Sequence, residues 1–173
     1  MSNTEIVEQF YSAFSKLDFQ TLSKYLSQDV VYYDPLWGLL EGDIVFYLWQ
    51  MKCESLSYFS FQYHDIEELD SEYITCKWET RFFYKKSGTH VKMNGKAYMR
   101  INNGLITEHS DGYKLSDWLA ATRGWKGKLL GWTGYMKRKE ESIHREQLER
   151  YIKNKSLFTS SGRRSHDYDF SDR

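Results

Sequence analysis

The sequence predicts an α+β domain in which helices pack on one face of a curved antiparallel sheet. Two observations predict it. Apolar residues recur at helical spacing through about residue 54, then switch to alternation through about residue 113. Short turn signals, Lys85-Lys86-Ser87-Gly88 and Asn102-Asn103-Gly104, separate the alternating runs. Strands linked by hairpins argue against a parallel α/β fold. At 173 residues the chain fits one domain with a terminal extension.

The elements follow in order. Asn3 or Thr4 is placed to cap a first helix, on which Ile6, Val7, Phe10, Phe14 and Leu17 form one apolar face. Asp18 caps a short second helix carrying Phe19, Leu22 and Leu26, which Gln28 and Asp29 end. Residues 30–34 read as a strand that the single proline, Pro35, terminates. Residues 43–54 form a third helix with Val45, Phe46, Leu48, Trp49 and Met51 as its apolar surface. Alternation then begins at Phe59, Phe61 and Tyr63, and continues at Ile74, Cys76, Trp78, Thr80 and Phe82. Met93, Gly95, Ala97, Met99 and Ile101 share the face of the next strand, and a last strand covers residues 105–113. Asp117 caps a further helical segment. Gly124, Gly127, Gly131 and Gly134 then punctuate a stretch too irregular for a phosphate-binding loop. Residues 136–153 read as a charged helix with a thin stripe of Ile143, Leu148, Tyr151 and Ile152, and the Ser-, Arg- and Asp-rich end as a disordered tail.

Composition narrows the function classes. Lys+Arg and Asp+Glu both number 24, so the basic excess of a nucleic-acid binder is missing. No apolar run reaches the ~18 residues of a membrane span, and MSNTEIVEQF does not open like a signal peptide. A cytoplasmic protein is expected, with Cys53 and Cys76 as buried free thiols. Aromatic residues make up 17% of the chain, which suits either a large core or the wall of an apolar pocket.

Three ionisable residues stand out. Asp34 ends a strand among Tyr32, Tyr33 and Trp37, where desolvation would lift its carboxyl toward the range of a general base. An Asp-Pro turn, with the carboxylate bonding nearby amides, accounts for the same residues. His109 and Asp111, two residues apart on the last strand, share a face with Tyr113. They form either an oriented acid–base pair or a polar pair on the solvent side of an edge strand. On that register Thr107 continues their face and Ile106 belongs to the other. A metal site finds only this His-x-Asp pair, without a second ligand cluster. His64 and His90 read as structural or solvated, His144 and His166 as exposed, and no G-x-S-x-G elbow appears.

The order of V-E-Q-F-Y-S-A-F, K-L-D-F and D-V-V-Y-Y-D-P-L-W-G, with the later N-N-G-L-I-T-E-H-S-D-G-Y, D-W and L-L-G-W-T, resembles the SnoaL-like polyketide cyclases and ketosteroid isomerases of the nuclear transport factor 2-like superfamily. The resemblance covers about residues 5–135. It implies a cone-shaped domain over residues 1–135, its strongly curved antiparallel sheet wrapped around the N-terminal helices. An added helix at 136–155 and a tail at 156–173 follow. It also implies homodimers formed through the outer face of the sheet. Asp34 matches the proton-moving aspartate of the isomerases. Their oxyanion Tyr would fall at about Phe10, beside Tyr11, and their oxyanion Asp at about Ala97, so steroid isomerase activity is not expected. The reading is a small, largely apolar carbonyl or cyclic ligand, with acid–base chemistry of the isomerase, cyclase or epoxide hydrolase type and without metal or other cofactor. Asp34 accepts a proton, His109 and Asp111 supply the partner acid or orient the substrate, and Tyr11, Trp37, Trp49, Trp78, Met99 and Tyr113 shape the pocket. Use of the same pocket for binding without chemistry, or a dimeric protein-interaction module, is the alternative.

Overall fold

The computed structural model describes residues 1–130 and 133–164. Its first helix, α1 (Asn3–Ser15), is capped one residue earlier than the sequence suggested. Ser2 accepts a hydrogen bond from the Glu5 amide, and the Glu5 carboxylate accepts one from the Ser2 amide. This Ser-x-x-Glu box satisfies two otherwise unpaired donors reciprocally. Helix α2 (Phe19–Leu22), capped by Asp18 as expected, runs into a 3-10 turn at Ser23–Tyr25. Gln28 and Asp29 do not end a helix. They belong to strand β1 (Leu26–Asp34), whose exposed middle carries polar side chains.

Strand β2 (Gly38–Glu41) folds back on β1, and helix α3 (Asp43–Ser55) follows. Strands β3 (Ser60–Glu68), β4 (Tyr73–Tyr84), β5 (Thr89–Asn102) and β6 (Leu105–Gly112) complete an open six-stranded sheet of order β2-β1-β6-β5-β4-β3. All neighbours are antiparallel except β1 and β6, which pair in parallel. Asn103 and Gly104, both at positive φ, form the β5–β6 turn.

Irregularities in register bend the strands. On β6, Ile106 pairs with Ile101 and Glu108 with Arg100, so Thr107 is an extra, unpaired residue. A bulge of this kind kinks its strand and re-aims the side chains beyond it. Ile106 and His109 therefore both face the core, which corrects the simple alternation read from the sequence. Nor is β6 an edge strand, since β1 and β5 flank it.

The inner face of the sheet and the helices enclose one apolar core, in which Phe10, Tyr11, Trp49, Leu48 and Met99 are almost wholly buried. Helix α4 (Leu115–Leu130) breaks its helical backbone at Gly124 and packs on β5. Helix α5 (Gly134–Arg164) packs on α3. The charged helix thus begins close to its expected start and continues past residue 155. The remainder of the expected tail, with His166, lies outside the described residues, as do Gly131 and Trp132. Cys53 and Cys76 are free and buried. Burial pushes each thiol up to about 11. Among the described residues no helix is long and apolar enough to cross a membrane.

Gly95 is required by a close approach. A Cβ there would lie 2.5 Å from the Trp78 ring and 2.7 Å from the Gly112 carbonyl oxygen. Gly95→Ala is expected to displace Trp78 and destabilise the fold by about 1–3 kcal/mol, as overpacking does. A urea transition at the wild-type midpoint, with unchanged tryptophan fluorescence, would contradict this.

Candidate functional site

Parallel pairing of β1 with β6 builds the site. Tyr32 is in register with His109 and Tyr33 with Ser110. One step further along, Asp34 and Asp111 end neighbouring strands on the same inward face. The two carboxylates are 5% and 7% exposed, and His109 2%. Neither the solvent-side reading of His109 and Asp111 nor a simple Asp-Pro turn describes this placement. Asp34 does accept the Leu36 amide at 2.7 Å, as such a turn requires, but it also faces the interior.

Tyr32 links the two carboxylates. Its phenol oxygen lies 2.7 Å from Asp111 Oδ2 and 3.1 Å from Asp34 Oδ2. A phenol has a single proton, so it serves one carboxylate at a time, and the shorter distance favours Asp111. Lys52 Nζ donates to the same phenol oxygen at 3.1 Å and lies 4.0 Å from Asp34 Oδ2. The remaining partners are Trp78 on β4, His109 on β6 and Tyr113 just beyond β6. Tyr113 donates to Asp34 Oδ1 at 2.6 Å and Trp78 Nε1 to Asp111 Oδ1 at 2.9 Å. His109 Nε2 lies 3.4 Å from Asp111 Oδ1 and 3.4 Å from the Tyr11 hydroxyl. The carboxylate partner assigns a proton to Nε2. His109 Nδ1 has no partner among the described residues.

The electrostatics follow from burial and these partners. Burial alone would raise the Asp111 carboxyl, but the charge and hydrogen bond of His109, with Lys52 and the Tyr32 hydroxyl, outweigh it. The carboxyl lies below its ordinary value. Tyr11, Tyr32 and Tyr113 are pushed well above the usual phenol range, first by burial and then by the carboxylates beside them. They are therefore hydrogen-bond donors at neutral pH, not bases.

These groups form one polar end of a cavity of about 350 Å³. Asp34 and Asp111 line it, as do Tyr11, Trp37, Trp49, Trp78 and Tyr113. Met99 does not. It is paired with His109 across β5 and β6 and fills the core instead. His109 also stands outside the wall, among the rings of Phe10, Tyr32 and Trp49, and acts on the cavity through Asp111. Tyr11 reaches the cavity while Phe10 packs against Trp49 at 5.1 Å, so a phenol is present at that helical turn after all. Ala97 is the register partner of Asp111. A carboxylate thus stands on the strand beside the position where the isomerases carry one.

Sequence reasoning missed Lys52, Trp118 and His144, all of which line the cavity. Lys52 follows the buried Trp49 by three residues, a helical spacing that could have placed it inward. It lies over the Trp49 ring at 4.6 Å. His144, expected in solvent, is 3% exposed. Among the described residues no group of three His, Cys, Asp or Glu side chains gathers to hold a metal ion.

Residues 7–109 match the model of the SnoaL-like domain family. No curated protein matches the chain at a significant level. Similar solved structures include an NTF2-like protein of unknown function from Burkholderia pseudomallei, with 18% identity, 70% of this chain and 98% of that chain covered, and a TM-score of 0.61. An LEH-like epoxide hydrolase from M. tuberculosis shows 21% identity over 73% of this chain and 89% of its own, with a TM-score of 0.58. SalBIII, an epoxide hydrolase/cyclase-like enzyme of pyran ring formation in the polyether salinomycin, shows 13% identity over 66% and 92%, with a TM-score of 0.59. At these identities the likeness is one of fold.

Proposed function

The chain belongs to the SnoaL-like domain family, and from that premise we propose that it performs acid–base chemistry on a small, largely apolar carbonyl or cyclic compound. The observation that carries this reading is the Tyr32 phenol shared by two cavity-facing carboxylates. Isomerisation and cyclisation remove a proton at one position and return one at another. Asp34 takes a proton from the substrate. Protonated, it can donate to the Tyr32 oxygen, which leaves the Tyr32 proton with Asp111. Two carboxylates joined in this way can exchange roles as acid and base. Lys52 and the Tyr11 hydroxyl stand beside them to stabilise negative charge developing on a substrate oxygen. The aromatic wall binds the apolar remainder. The same reading takes the outer face of the sheet as a dimer contact. Tyr73 and Tyr98, 38% and 46% exposed, supply apolar surface for it.

The test is turnover of a panel of cyclic ketones and epoxides by wild type, Asp34→Asn and Asp111→Asn. For any compound converted, each substitution is expected to reduce kcat about 10²–10⁴-fold, the usual contribution of a positioned acid or base. Undiminished turnover by both variants would refute the assignment. One observation favours binding without chemistry. With the Tyr32 proton on Asp111, donors already occupy three of the four oxygens of Asp34 and Asp111. Tight binding of panel members with no conversion would establish that second reading.

A further inference from the structure

The cavity has a second polar end, and it is built by the helix that follows the family-matched segment. Helix α5 presents a buried seam of Met136, Glu140, His144 and Leu148, spaced four residues apart and so stacked on one face. His144 lies between Trp37, at 5.0 Å, and Trp118, at 5.6 Å between ring centroids. Both indoles line the cavity with it. The helix is fixed in place. Arg145 donates to the Trp37 and Leu39 carbonyl oxygens at 3.1 and 2.8 Å, Tyr151 donates to Glu54 at 2.8 Å, and Arg123 pairs with Glu140.

The ring nitrogens of His144 have different fates. Nδ1 donates to the Glu140 carbonyl oxygen at 2.8 Å. Nε2 is the nitrogen left over and has no partner among the described residues. Burial lowers the imidazole below its ordinary value, which keeps the ring neutral and Nε2 an acceptor. The Trp118 indole N–H likewise has no partner among the described residues. An acceptor without a partner on a cavity-lining ring gains a hydrogen bond when a ligand hydroxyl reaches it. A ligand hydroxyl can donate to His144 Nε2.

The place of this pair along the cavity is set by β4. Trp78 binds Asp111, whereas Phe82 and Tyr84 pack on Trp118 at 6.2 and 5.0 Å. Four residues of strand separate Trp78 from Phe82, about 13 Å. Resting on the reading of the cavity as a ligand site, we propose that His144 is a binding residue that selects for a hydroxyl on the end of an elongated apolar molecule remote from Asp111. Helix α5 is on this account part of the specificity apparatus.

Two probes differing by that hydroxyl, chalcone and 4-hydroxychalcone, test it through quenching of the cavity tryptophans. Wild type is expected to bind 4-hydroxychalcone about threefold to tenfold more tightly, the effect of one neutral hydrogen bond. His144→Phe should bind both probes alike, at the wild-type affinity for chalcone. The 15N resonance of His144 Nε2 should move on addition of 4-hydroxychalcone and not of chalcone, a readout that needs no variant. Equal affinities in wild type with an unmoved resonance, or a preference that survives in His144→Phe, would overturn the role of His144 while chalcone binding upholds the cavity. Failure of both probes to bind would overturn both.

Discussion

Asp111→Ala is expected to destabilise the domain by about 3–5 kcal/mol, the cost of breaking a buried charged cluster by removing one partner. The substitution leaves the Trp78 indole N–H, the Tyr32 hydroxyl and the His109 Nε2 proton without their acceptor in a buried cluster. It also removes a source of pH dependence. The Asp111 carboxyl is held below its ordinary value in the folded protein. Its stabilisation is therefore complete above the unfolded carboxyl value of about 3.9 and is lost as pH falls through the lower, folded value. Urea unfolding measured between neutral and strongly acid pH should show wild-type stability falling on the acid side, with a shallower fall for Asp111→Ala. A loss under 1 kcal/mol at neutral pH would mean that the cluster is solvated and its members independent.

Trp49→Ala should cost about 3–5 kcal/mol, as full truncation of a large core aromatic does. Trp49 is 2% exposed. It contacts Phe10 and Phe14 edge-on at 5.1 and 4.9 Å, and stacks on His109 at 5.7 Å. It thus joins α1 and α3 to the inner face of β6 and forms part of the cavity wall. Phe46 on the same helix is only partly buried and packs at the margin of the core, so Phe46→Ala is the comparison. Chemical denaturation should show the larger loss for Trp49→Ala. Equal losses would place the centre of the core elsewhere.

How far the sequence discloses this molecule depends on how local each signal is. The helical face of Ile6, Val7, Phe10 and Phe14 and the alternation of Ile74, Cys76 and Trp78 are local, and both structures form where read. Strand β2 went unread because four residues after a turn are too few to show a period. The start of β1 was hidden by Ser27, Gln28 and Asp29, polar residues on its exposed stretch. Pairing of β1 with β6 joins segments about seventy residues apart and leaves no trace in either segment alone. That pairing is what sets Asp34 beside Asp111, so the candidates were nameable while their juxtaposition was not. The bulge at Thr107 is equally silent, since it reverses the face of Ile106 without a glycine or proline to mark it. His144 was misjudged because its neighbours along the chain are charged. The four-residue spacing of Met136, Glu140, His144 and Leu148 was the signal available, but half of that seam is polar and reads as surface.

The central claim is that the apolar cavity ends on an ionised carboxylate governed by His109, within a network shared with Asp34. The most direct test is the 13C titration of the Asp111 carboxyl in wild type and in His109→Phe. A wild-type midpoint below the ordinary carboxyl value, raised when His109 is removed, is the predicted result. A midpoint at about 3.9 that His109→Phe leaves unmoved would contradict it.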